Sequence, residues 1–326
     1  MALNLTQCLI FVPQTNQMKK ILFLVILFFT ITLKLWAQDN LDTISRADSS
    51  YWITDGRVYM YMTQGAQFNW AKGGDNIFSA LTKTQFQAKY KKDKSIWDNL
   101  LKWNYGFLFV GVPEDHSIDY RTSDDYFELN SSYGYKAKGD FYYNMLFNFK
   151  TQFLPGYKYP NDSVKVSNFL SPAYIIFSLG VNYKPNENFK LMVSPLTSKT
   201  TLVVRESEVD ETKFGLKKGE RIYKEIGAYV TLSYKFMVID EIALENELTL
   251  FSNYEVNPEN IDFELKTNLN FKITKNIKSL ISFHFIYDDD ALIPVNSYEN
   301  GVYKQIGYTK GLQFQEKIMV GIGLDF

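Results

Sequence analysis

Between Phe141 and Phe153 apolar and polar side chains alternate so strictly that an extended strand is the one conformation that sorts them. Phe141, Tyr143, Met145, Phe147, Phe149 and Phe153 share one face, while Asn144, Asn148, Lys150 and Gln152 share the other. Ile261 to Ile273 repeats the pattern, with Ile261, Phe263, Leu265, Leu269, Phe271 and Ile273 opposed to Asp262, Glu264, Lys266, Asn268, Asn270 and Lys272. Wound as helices, at about 100° per residue, both segments would scatter charge around the whole circumference; at about 180° the two faces separate.

The same period predicts strands near 57–70, 76–91, 96–112, 123–136, 140–154, 171–184, 188–204, 220–238, 241–255, 259–274, 277–290 and 308–326. Most are longer than ordinary globular strands and suit the roughly 9 to 11 residues that a tilted strand needs to cross a bilayer. Spanning backbone must satisfy its own hydrogen bonds, which leaves helices and closed barrels, and beyond the N-terminal region no stretch is apolar enough for a helix. The expected fold is all-β, a transmembrane antiparallel up-and-down β-barrel of about twelve strands.

Connection lengths agree. Short turns follow the even-numbered strands (Lys91–Lys94, Ala137–Gly139, Pro185–Glu187, Ile239–Asp240, Lys275–Asn276), and longer connections follow the odd ones (Pro113–Thr122, Pro155–Leu170, Arg205–Gly219, Ala291–Gly307), with Ala71–Asp75 the exception. Outer-membrane barrels sort their loops in this way, short towards the periplasm and long towards the outside. A soluble sandwich or propeller has no reason to.

The N-terminus reads as an export signal starting from Met18 as the true initiator. Lys19 and Lys20 supply the basic flank, Ile21 to Leu33 the apolar stretch, and Leu35-Trp36-Ala37 the cleavage site, placing the cut between Ala37 and Gln38. Its apolar run of about 13 residues is short of the roughly 20 of a membrane helix. Gln38 in place of a cysteine argues against lipidation. Three parts follow: residues 1–37 as extension and signal peptide, 38–56 as a polar periplasmic lead-in, and 57–326 as the barrel.

Aromatic residues make up 17% of the chain, more than a soluble enzyme ordinarily needs. Trp70 and Trp97 fall near predicted strand ends, where amphipathic rings favour the headgroup boundary. The 35 basic and 36 acidic residues give no clustered positive field, so nucleic acid is excluded as a partner. Cys8, the one cysteine, precedes the cleavage site, which leaves the mature chain without a disulfide or thiolate metal site. No cofactor is expected.

The chain ends Met319-Val320-Gly321-Ile322-Gly323-Leu324-Asp325-Phe326. Gly321, Leu324 and Phe326 resemble the C-terminal signal by which the barrel-assembly machinery recognises its clients, from which Met319 departs. Trp70-Ala71-Lys72-Gly73-Gly74-Asp75-Asn76 and Ser194-Pro195-Leu196-Thr197-Ser198-Lys199-Thr200, with Trp97-Asp98-Asn99 and Ser171-Pro172-Ala173-Tyr174, resemble an uncharacterised domain-of-unknown-function family of Bacteroidota outer-membrane barrels. The resemblance implies architecture and location, and no activity. Physically, Gly73-Gly74 suits a tight hairpin, and Pro195 inside a strand suits a bulge, with a conducting constriction as the functional alternative.

The candidate lumen residues are Glu225 and Lys235, then Glu245 and Glu247, then Asp262, Glu264 and Lys266. Hairpin register places Lys235 near Glu245 and Glu247 near Lys266. Because carboxylates outnumber lysines in this set, it would bias a pore towards cations, or else fill a small barrel as a salt-bridged wall. Some twelve-stranded barrels are phospholipases with a Ser-His pair. His116 in a loop and His284 beside Ser282 are the histidines available, but Ile281-Ser282-Phe283-His284-Phe285 lacks the expected wording and no enzyme is expected. The acids Asp288-Asp289-Asp290 and Asp124-Asp125 could hold calcium, with solvated surface the plainer reading. The expected function is a passive channel for small polar solutes in outer-membrane lipid. Its rival is a closed barrel acting through its outer loops.

Overall fold

The computed structural model describes residues 51–65, 77–111, 118–157, 163–204, 207–289, 293–299 and 302–326. The proposed cleavage site at Ala37 and Gln38, most of the lead-in, the segment Trp70 to Asn76 and His116 lie outside them.

Twelve strands close into one antiparallel barrel: β1 (Trp52–Gly65), β2 (Ile77–Lys92), β3 (Ser95–Gly111), β4 (Ile118–Lys136), β5 (Phe141–Thr151), β8 (Ala173–Asn186), β9 (Phe189–Leu202), β10 (Ile222–Ile239), β11 (Ile242–Asn253), β12 (Ile261–Lys272), β13 (Ile277–Tyr287) and β16 (Gln313–Asp325). Consecutive barrel strands are neighbours, and β16 returns to β1. Two small hairpins, β6 (Gly156–Tyr157) with β7 (Lys165–Ser167) and β14 (Ile293–Glu299) with β15 (Val302–Thr309), stand in two of the long connections. A third long connection carries a 3-10 helix, Glu211–Phe214, capped by the Asp210 carboxylate. The connections sort the barrel into a turn end, holding both barrel termini, and a loop end.

Alternation sets the two faces as expected. On β5, Tyr143, Met145 and Phe147 are exposed outward, whereas Asn144, Leu146 and Asn148 are buried inward. Phe177, Val193, Ile226, Phe236, Phe314 and Ile318 extend the apolar exterior onto other strands. A barrel with greasy outer and charged inner faces is one built to span a bilayer, since the first needs lipid and the second water.

Three boundaries differ from the sequence expectation. β1 begins at Trp52 rather than 57, a start hidden because Gly56, on the outer face, interrupts the apolar alternation: the Phe326 ring lies where a side chain would go, and the two backbones exchange hydrogen bonds of 2.7 and 2.9 Å. Trp52 pairs with Tyr90 and its ring lies tilted at 5.6 Å from that of Trp97, whose indole donates to Ser131 at 2.8 Å, an aromatic group at the turn end. The first expected connection, Ala71–Asp75, lies outside the described residues. β4 begins at Ile118 rather than 123, so Asp124 and Asp125 stand well inside it. The last barrel strand starts at Gln313 rather than 308, Tyr308 and Thr309 belonging to the β14–β15 hairpin.

The bulge expected at Pro195 is present. On one side Gly227 faces Thr197 and Tyr229 faces Ser194; on the other Leu179 faces Leu196 and Val181 faces Val193. Proline has no N–H for the ladder, and the Ser194 hydroxyl takes up the slack by donating to the Leu179 carbonyl at 2.6 Å. The bulged backbone presses on Gly180, where an added Cβ would sit 2.2 Å from the Val193 carbonyl oxygen. Gly180→Ala should therefore cost about 1–3 kcal/mol, as overpacking does. A urea titration of the refolded barrel checks this, and an unchanged midpoint would show that the wall yields.

Candidate functional site

The inner face surrounds a cavity of about 1570 Å³, lined from Asp325, Lys278 and Glu187 near the turn end to Tyr174, Asp262 and Asp288 near the loop end. Across it runs a belt of ion pairs that joins opposite walls. Lys102 on β3 reaches Glu128 on the neighbouring β4 at 3.4 Å and Glu247 on β11 at 3.6 Å. In the ring of twelve, β3 and β11 stand six places apart, so this lysine bridges the full width. Lys150 on β5 reaches Glu264 on β12 at 3.4 Å, a second crossing.

The carboxylates of the belt are held from several sides. Glu128, 4% exposed, accepts hydrogen bonds from Tyr126 Oη and Asn148 Nδ2, each at 2.7 Å. Glu264 also pairs with Lys266 at 2.7 Å and His284 Nε2 at 2.9 Å. Towards the loop end, Lys199 joins Glu225 at 3.2 Å and Asp262 at 3.3 Å while lying 4.8 Å above the Phe251 ring. An apolar patch of Leu146, Met192, Tyr229 and Phe251 covers part of the wall nearby.

The seven residues expected in the lumen are all on the inner face, and their partners are partly as expected. Lys235 and Glu245 are register partners and pair at 3.0 Å. Glu247 and Lys266 are register partners too, but their charges diverge, Glu247 to Lys102 and Lys266 to Glu264. Glu225 lies 2% exposed behind Lys199 and does not line the main cavity. Sequence reasoning missed Lys102, Glu128 and Lys199, although their position on the polar face of an alternating strand was a usable signal.

The expected cation bias counted one wall, and its basis goes when the whole cavity is counted. Acidic and basic side chains line the cavity in equal number among the described residues.

At the turn end, burial works against ionisation of Glu187, but Lys184 at 3.2 Å and Lys89 at 3.7 Å outweigh it and hold this carboxyl below the usual carboxylate range. At the loop end, the hydrogen bond from Lys310 at 2.7 Å, with one from Asn260 at 2.9 Å, does the same for Asp289. Among the described residues no group of three or more His, Cys, Asp or Glu side chains is placed to hold a metal ion. His284 faces the lumen with Ser282, on the opposite side of the wall from lipid.

Gly321, Leu324 and Phe326 meet β1 where the barrel closes. Gly321 faces Tyr61 with no room for a Cβ, which would lie 2.3 Å from the Met60 carbonyl oxygen; Leu324 pairs with Val58.

Closed antiparallel wall, apolar outside and charged inside together define an outer-membrane type of β-barrel. A family model described as Protein of unknown function (DUF3078) matches residues 62–157, from within β1 to the β6 hairpin strand. No curated protein matches the chain. Similar solved structures include an outer membrane channel from Pseudomonas putida F1 (8% identity, 87% of this chain and 99% of that one, TM-score 0.39). The NanC porin (9%, 83% and 98%, 0.36) and outer membrane phospholipase A from Escherichia coli (12%, 88% and 94%, 0.34) are others. At such identities and scores these likenesses carry no inference about activity.

Proposed function

We propose that this protein is a passive outer-membrane channel for small polar solutes, narrowed by the ion-pair belt and nearly indifferent to the sign of charge. The observation that carries this reading is the cavity of about 1570 Å³, which runs past the belt and bears charged groups on all sides. Such groups need water, and Glu245 and Lys235, with side chains 38% and 42% exposed, are open to it. The chain reaches the membrane by export with cleavage after Ala37, and Gly321, Leu324 and Phe326 serve its insertion by the assembly machinery.

Mature protein refolded into a planar bilayer should give small, steady currents with little preference between potassium and chloride. Glu245→Gln with Glu247→Gln should tilt them towards anions, because Lys235 loses its counter-charge and Lys102 one of its two. A second reading, a closed barrel acting through its outer loops, draws on the same crossing bridges. An electrically silent but heat-modifiable barrel would establish it and end the first.

A further inference from the structure

On its lipid-facing side the wall carries a row of short side chains between two rows of large ones. Thr54, Ala88, Asn99 and Ser131 are register partners in turn across β1, β2, β3 and β4. Two residues nearer the turn end stand Trp52, Tyr90, Trp97 and Tyr133. Two residues deeper stand Phe86, Leu101 and Leu129, with the Phe326 ring over Gly56. The short row is therefore the floor of a groove between an aromatic ridge and an apolar one. These residues face outward: Trp52, Thr54, Phe86, Trp97 and Tyr133 are exposed, while Asp98 and Leu100, which alternate with Trp97 and Asn99 along β3, line the cavity.

The floor of this groove is polar, which hydrocarbon disfavours. The Trp97 indole donates to Ser131 Oγ at 2.8 Å, and the Ser131 hydroxyl donates to Asn99 Oδ1 at 2.8 Å. Asn99 Nδ2 in turn faces the Ala88 carbonyl at 3.5 Å. An indole can only donate and a backbone carbonyl only accept, so the chain runs one way and ends on the Asn99 amide. That amide carries two N–H groups, and the Ala88 contact is longer than a good hydrogen bond and engages one of them. The groove thus needs an acceptor, and lipid supplies ester carbonyl and phosphoryl oxygens at the level of an aromatic girdle. The turn beside it, Lys91-Lys92-Asp93-Lys94, is exposed and net positive, and Lys92 lies 4.6 Å over the Tyr51 ring. The next turn adds exposed Lys138 and the end of β4 exposed Lys136, against Asp140. A second copy of the barrel seated here by two-fold symmetry would bring these lysines against themselves, whereas a phosphate would neutralise them.

We propose that this groove seats one glycerophospholipid with an anionic head, drawn from the leaflet at the turn end. Lys92 and Lys94, on stems long enough to bend towards it, receive the phosphate and head. An ester carbonyl accepts from the Asn99 amide, and an acyl chain runs inward past Phe86 and Leu101. The site lies on the outside of the wall. It goes beyond the channel reading and is tested by lipid contact rather than current, so each can fail alone.

Trp36→Phe, Trp52→Phe, Trp70→Phe and Trp103→Phe together leave Trp97 as the one indole. This barrel, refolded into phosphatidylcholine vesicles, is titrated with phosphatidylglycerol or phosphatidylcholine brominated on the acyl chains, since bromine quenches tryptophan on contact. Brominated phosphatidylglycerol should quench Trp97 at a several-fold lower mole fraction than brominated phosphatidylcholine. A barrel that keeps Trp103 instead, exposed on the outer face of β3 but beyond the groove, should show no preference. Equal quenching of Trp97 by the two lipids would mean an ordinary annulus and overturn the site. Little quenching by either, with barrels that migrate as pairs, would give the groove to a second copy and overturn it too. Lys92→Gln with Lys94→Gln should remove the preference, and one that survives would overturn the placing of the head. Asn99→Leu, which fills the groove and deletes the amide, should leave both lipids quenching alike. Heat-modifiable migration checks that each variant has closed into a barrel.

Discussion

Lys102→Ala combined with Lys150→Ala raises the single-channel conductance several-fold and makes the pore prefer cations. These two side chains are the ones that carry the belt from wall to wall, at 3.6 Å from Glu247 and 3.4 Å from Glu264. Cutting both to Cβ removes the crossings and leaves Glu128, Glu247 and Glu264 facing the lumen with Lys266 as their remaining close lysine. Rings of carboxylates favour cations, so the reversal potential in a salt gradient should move towards that of potassium. Conductance and reversal potential both unchanged would mean that ions are limited elsewhere, and the belt would lose its place in the proposed function.

Glu128→Ala lowers the stability of the refolded barrel by about 3–5 kcal/mol, the range seen when one partner of a buried pair is removed. The Glu128 side chain is 6% exposed and accepts from Lys102, Tyr126 and Asn148. Its loss leaves Tyr126 and the buried Asn148 without this acceptor and takes from Lys102 one of its two counter-charges, which is why the cost exceeds that of a deleted contact. Glu245→Ala is the internal control. That carboxylate is 38% exposed and pairs with an equally open lysine, so its removal should cost below about 1 kcal/mol. Urea titrations followed by tryptophan fluorescence read both, and similar losses for the two variants would refute the distinction drawn from burial.

Much of the wall was legible in the sequence because its information is local. A side chain on a strand points opposite to its neighbours, so the alternation in Phe141–Phe153 and Ile261–Ile273 was enough to sort lipid from lumen. Where a single glycine broke the alternation the reading slipped: Gly56 hid the first turns of β1, and the correct start depends on Phe326, far away in the chain. The Pro195 bulge was readable because the missing N–H is a property of the residue itself. The cost of closing it against Gly180 was not, since that depends on the neighbouring strand.

The candidate site divides along the same line. Lys235 with Glu245 follows from adjacent strands and a short turn, so hairpin register found it. Glu247 with Lys102, and Glu264 with Lys150, join residues on strands that are not neighbours in the ring, and no periodicity states which side chains will face each other across a lumen. By itself the sequence determined the strand period, the strand count and the inner and outer faces, because each depends on near neighbours in the chain. Only the tertiary structure decided which charges cross, where β16 meets β1, and that the two signs balance inside, because closing a sheet into a ring fixes distances between residues that the chain keeps far apart.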